Sequence, residues 1–93
     1  MTQIVTILQE ESEEVETLQY MYQGYLDILG YLFSQYNLDE HHPIINKKFD
    51  DAVLIYTELE KTKQSLADKY KPNGRWPFYS FNFDKFQIIF RDA

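Results

Sequence analysis

The 93-residue chain has no cysteine, only three glycines and three prolines, and no lysine or arginine before Lys47. Each shortage excludes something. Without cysteine there is no disulfide framework, thiolate nucleophile or thiolate metal site, which fits a reducing compartment, so the cytoplasm is the expected location. Gly24, Gly30 and Gly74 are too scattered to form a phosphate-cradling loop. No apolar run approaches the ~18 residues that a bilayer span requires. Residues 1–9 lack the cationic start and long apolar stretch of a signal peptide. With an isoelectric point near 4.7 and no early cations, direct binding to nucleic acid or to anionic lipid is not expected.

What is present is unevenly placed. The first 46 residues carry eight acids against no cations, net −8, and the last 47 carry nine cations against seven acids, net +2. That asymmetry predicts one strongly acidic surface, suited to a basic protein partner. Eight Tyr, seven Phe and one Trp supply the apolar mass of a short chain, since each aromatic can bury roughly 150–250 Å². A hydrophobic content of 44% with clear periodicity argues against disorder despite the net charge of −6. The length predicts a single domain over 1–93.

Periodicity then gives the elements. Gln3 to Leu8 is short and β-branched, as a strand is. The strand hands over near Glu10–Ser12, where Ser12 or a neighbour can cap a helix whose first turn is rich in carboxylates. Leu18, Met21, Tyr25, Leu29, Leu32 and Tyr36 recur at spacings of three and four, widened by Val15, Tyr22, Leu26 and Phe33. Gly24 and Gly30 inside this helix are expected at a close helix–helix approach, with a gap for a ligand as the alternative. Asn37 to His42 form a turn, and Pro43 suits the first position of a second helix reaching Tyr70. Its apolar positions are Ile45, Phe49, Ala52, Tyr56, Leu59, Leu66 and Tyr70, with Lys63 the one polar interruption.

Lys71-Pro72-Asn73-Gly74 stops that helix. The period then changes to two. If Asp84-Lys85 is a two-residue turn, Phe83 faces Phe86, Phe81 faces Ile88 and Tyr79 faces Phe90, all on one side. Asp-Lys is not a favoured hairpin pair, so one long bent strand is the alternative. The expected class is α+β: an antiparallel two-helix hairpin packed on a small antiparallel sheet, in β-α-α-β-β order.

Chemistry-bearing clusters are few. Asp39-Glu40-His41-His42 is the most ligand-like run, yet adjacent residues in a turn seldom converge on one centre, and His42 suits a cap before Pro43. The expectation is no metal and no cofactor. Glu10, Glu11, Glu13, Glu14 and Glu16 read as a solvated face, because catalytic carboxylates need environments that drive their pKa values apart. Ser34, Ser65 and Ser80 lack the surroundings of a nucleophile. Arg75 and Trp76 lie in a loop and are residue types enriched at interfaces, though Trp76 can equally fold over the open end of the core. Tyr20, Tyr22, Tyr25 and Tyr31 share one helix and cannot all face one partner helix. The candidate partner-binding residues are therefore Glu10, Glu11, Glu13, Glu14, Glu16, Tyr20, Tyr31 and Trp76.

The Ile4-Val5-Thr6-Ile7 strand, the Leu18-Gln19-Tyr20-Met21-Tyr22 segment, Tyr70 at the end of the second helix and Phe81-Asn82-Phe83-Asp84 with Ile88-Ile89-Phe90 together carry a resemblance. The chain resembles small proteins of gut bacterial phages and mobile elements, and accessory proteins beside the radical-enzyme maturases of CXXX-repeat peptides. The resemblance implies a non-enzymatic accessory or assembly protein and carries over no functional residue. The leading expectation is thus an acidic protein–protein interaction module, with homo-oligomerisation through an edge strand as a further possibility. The alternative is a phage-encoded inhibitor that mimics nucleic acid with its carboxylates, similar to anti-CRISPR proteins in size and charge.

Overall fold

The structure, a computed structural model, describes Met1–Asp92. The elements run β1 (Thr2–Thr6), α1 (Gln9–Gln35), α2 (Pro43–Tyr70), β2 (Phe78–Asn82), a 3-10 turn (Phe83–Lys85) and β3 (Gln87–Arg91). This is the α+β class and the β-α-α-β-β order that the periodicity predicts. Two compact units form, one from residues 1–16 with those from Lys61 onward, the other from residues 17–60. Each helix contributes a segment to both.

In the first unit β3 lies between β1 and β2, antiparallel to both. Val5 and Phe81 flank Ile88, and Gln3 and Tyr79 flank Phe90. A side-chain period of two puts these on one face. Ile88 and Phe90 are fully buried there, with Ser12 and Val15 of α1 and Leu66 and Ala67 of α2 also buried. The Tyr79 hydroxyl donates to Gln64 Oε1 at 3.5 Å. Lys63 Nζ sits 6.0 Å above the Phe81 ring centroid, so the polar interruption in α2 sets its ammonium over the face of an aromatic neighbour.

The pairings of Tyr79 with Phe90 and Phe81 with Ile88 agree with the alternation, but the turn between the strands differs. Asp84-Lys85 is the centre of a four-residue loop: the Phe86 N–H reaches Phe83 O at 3.4 Å and Phe86 adopts φ 53°. A two-residue hairpin turn needs positive φ at its central positions, which Gly and Asn take readily and Lys does not. The chain therefore uses Phe83 and Phe86 in the turn itself, and these two are not a ladder pair. Phe83 stacks instead on Phe81, centroids 5.9 Å apart at 14°. The helix start also differs. α1 begins at Gln9, so Ser12 lies within the helix and is buried at 1% exposure, not at the cap.

In the second unit, Tyr22 meets Tyr56 at 5.2 Å and Lys48 Nζ lies 5.9 Å over the Tyr25 ring. Later residues of α1 thus meet earlier residues of α2, as in an antiparallel hairpin. Asn37 ends α1 with φ 57°, a conformation Asn tolerates. Pro43 opens α2, and the Ile44 N–H donates to His42 Nδ1 at 3.2 Å, which makes His42 the cap. The buried residues are Leu29, Ile45, Ala52 and Leu59.

The rest of the expected helical core is open. Met21, Leu26, Phe33, Phe49 and Tyr56 are between 38% and 58% exposed, and Tyr36 is 61% exposed beyond the end of α1. Two helices cover only a seam of each other, so residues on the flanks of a wide apolar stripe stay in solvent. The glycines need the same correction. A Cβ built on Gly24 or on Gly30 would meet nothing within 4 Å, so neither serves a close helix–helix approach.

Two substitutions in the sheet separate its faces. Ile88→Ala should lower unfolding free energy by about 2–5 kcal/mol, as large-to-small changes at buried sites do. Ile4→Ala, at a 56% exposed position on the opposite face, should change it by about 0.5 kcal/mol or less. Urea unfolding of both variants checks this.

Candidate functional site

The acidic helix start divides by the helical repeat. Glu10, Glu13 and Glu14 are exposed and, at spacings of three and four, share one face of α1. Glu11 and Glu16 are half-buried. Glu11 is held inside the first unit: Lys69 Nζ lies 3.3 Å from its Oε2, and the Tyr70 hydroxyl donates to Oε1 at 2.6 Å. Gln9 Nε2 donates to Glu13 Oε1 at 2.8 Å, one helical turn on.

The fold also redistributes the charge that the sequence segregates. The unit containing all five of these glutamates holds seven cations against eight acids, net −1. Residues 17–60 hold two cations against seven acids, net −5. The strongly acidic surface expected at the helix start is thus reduced to a face of three carboxylates, in a unit that is almost neutral.

Tyr20 and Tyr31 stand 70% and 56% exposed. Eleven positions apart, they fall on one side of α1, roughly opposite the Leu18–Leu29 stripe, and Ile28 at 43% exposure lies beside them. Tyr31 makes an edge contact with Tyr36, centroids 5.6 Å apart at 73°. Ser34 donates to Tyr31 O at 3.4 Å. Tyr22 and Tyr25 turn to α2 instead. Trp76 is half-buried in the first unit, with its ring 6.3 Å from Phe90 at 63° and Nε1 donating to Asn73 O at 3.4 Å. It covers the end of the core while part of its surface stays open. The structure therefore places Tyr20 and Tyr31 on one side of α1 in the second unit, and Glu10, Glu13, Glu14 and the Trp76 loop in the first.

Comparisons with protein-family models, curated proteins and solved structures find no match to this chain. What the surface can do rests on its own chemistry.

The His and acid run of the connecting loop is occupied locally. The His41 N–H donates to Asp39 Oδ1 at 2.9 Å, His41 Nε2 lies 3.5 Å from Glu40 Oε1, and His42 Nδ1 caps α2. Among the described residues, no three His, Asp or Glu side chains converge on a point that could hold a metal ion. No helix is long and apolar enough to cross a membrane.

Concavities occur in both units. One of about 420 Å³ in the first unit is bordered by Asp68, Lys71, Arg75 and Trp76. Two in the second unit, of about 580 and 190 Å³, share Leu26, Leu29 and Phe49 and so form one continuous groove. Of its walls, Leu26, Phe33, Phe49 and Tyr56 are residues that sequence periodicity assigned to the core. Gly30, which faces open space beside Leu26 and Phe33, is the one signal of the groove in the sequence.

The Glu11–Tyr70 bond has a measurable consequence. The hydrogen bond to Glu11, followed by loss of solvation, raises the Tyr70 phenol above its ordinary 10.0. The folded state holds this proton more tightly than the unfolded one. The contribution is therefore complete below pH ~10 and is lost as pH rises through the folded value. Tyr70→Phe should lower stability at neutral pH and flatten its decline above pH ~10. Urea unfolding at neutral and alkaline pH, together with tyrosinate absorbance, reads both effects.

Proposed function

We propose that this chain is a non-enzymatic protein-binding module, an accessory or assembly factor of a phage or mobile element, as the resemblance implies. It docks on another protein through the outer face of α1. One observation carries the reading: Tyr20 and Tyr31 project from the side of α1 remote from Leu29, where a merely solvated helix carries Lys and Glu. Tyrosine supplies large contact area with few rotatable bonds and a hydroxyl that can remain hydrated, which is why it is enriched at recognition surfaces. Glu10, Glu13 and Glu14 add a carboxylate face that steers a partner with basic groups.

Nucleic-acid mimicry is the second reading, and it rests on those same three glutamates. It is the weaker one, because Glu11 is committed to Lys69 and Tyr70 and the surrounding unit is close to neutral.

The readings separate in a pull-down from the source cells. Tyr20→Ala with Tyr31→Ala should reduce partner capture by at least ~30-fold, as loss of hot-spot aromatics does. Reversing Glu10, Glu13 and Glu14 to Lys should slow association with only a modest loss of capture. If the charge reversal abolishes capture and added salt does the same to the wild type, mimicry is correct and the tyrosine reading fails.

A further inference from the structure

We propose that the groove of the second unit binds a second copy of this chain, so that two helical hairpins associate as a four-helix bundle. The surface is separate from the Tyr20–Tyr31 face and the inference stands independently of it.

The groove has a buried floor, Leu29, Ile45 and Ala52, and walls contributed by both helices. The walls are Leu26 and Phe33 of α1 with Phe49, Val53 and Tyr56 of α2, and all five are between 38% and 58% exposed. Given the areas that aromatic and branched side chains present, these fractions amount to on the order of 500 Å² of apolar surface per copy. A standard interface takes about 800 Å² from each partner, and homodimer interfaces are about 65% apolar. The apolar share required of one copy is therefore ~520 Å². The exposed surface of the groove walls is of that order.

The chemistry of the lining selects the occupant. Among the lining residues the only charge is Glu40, at the loop end. There is no cation to receive an acidic partner and no cluster of carboxylates to receive a basic one. What fits is another uncharged, aromatic and aliphatic face of the same width, and a second copy presents one by two-fold symmetry. Packing hairpin on hairpin also converts an arrangement with four buried core residues, Leu29, Ile45, Ala52 and Leu59, into a bundle with a shared interior.

The test is sedimentation equilibrium of the full chain, from low micromolar to submillimolar concentration. The expected mass moves from 11.2 kDa toward twice that value as concentration rises. Phe49→Asp and, separately, Val53→Glu should each weaken the dimer by at least ~30-fold, with far-UV circular dichroism confirming unchanged helix content. Leu54→Asp, 69% exposed on the opposite side of α2, should leave the dimer intact. Because each copy carries −5 over residues 17–60, added salt should hold or tighten association. A chain that stays monomeric throughout overturns the proposal. So does a dimer that survives both groove variants, or one that salt dissolves.

Discussion

The central strand β3 is the constraint on which the ordered part of this small protein depends. It pairs with β1 on one side and β2 on the other, and its two inward residues, Ile88 and Phe90, are the largest fully buried side chains of the fold. Because β3 is the last element in the chain, neither β1 nor β2 has a sheet partner until residues more than 80 positions from the N-terminus have arrived. The pairing of β1 with β3 is therefore a long-range contact, which costs loop-closure entropy before it returns any stabilisation, whereas β2 and β3 meet across a four-residue loop. Burial of Ile88 and Phe90 is what offsets that cost. The helical segments around Val15 and Leu66 gain their cover from the same event.

Residues 17–60 obey a different balance. Their helices are long and locally encoded, yet only four of their side chains are buried. A hairpin of two helices has no third layer, and its apolar stripes are wider than one seam can absorb. The surplus is concentrated. Leu26, Phe33, Phe49, Val53 and Tyr56 line one groove, and Tyr20, Ile28 and Tyr31 lie along another side of α1. Apolar surface in such contiguous amounts is the usual mark of association between protein surfaces. The two faces differ in character: the groove is concave and nearly uncharged, whereas the tyrosine face offers hydroxyls to solvent.

The charge pattern shows how topology can alter a signal that looks plain along the chain. Nine cations follow Asn46 and none precede it, so the two halves read as opposites. Folding brings the acidic start of α1 together with the cationic end of α2 and the strands that follow, and Lys69 and Tyr70 take up Glu11 directly. A short-range ion pair and a hydrogen bond thus replace part of what reads, in one dimension, as a field.

Local physics determined the parts of this protein that one segment decides alone. Three-four spacing marks both helices, Asn37 and Pro43 mark the connection, and alternation after Tyr79 pairs Phe81 with Ile88 and Tyr79 with Phe90, because these depend on intrinsic periods and backbone preferences. Tyr20 and Tyr31 were legible as surface candidates for the same reason: one helix cannot turn all its tyrosines to one neighbour. Tertiary structure alone decided which apolar positions are covered. Phe49 and Ala52 are both apolar positions of α2, yet one is open and the other sealed, and the difference is the width of the opposing helix. It also decided that Gly30 borders a groove and that Glu11 is spoken for. Each of these outcomes is set by a neighbour distant in sequence, and no local period contains that information.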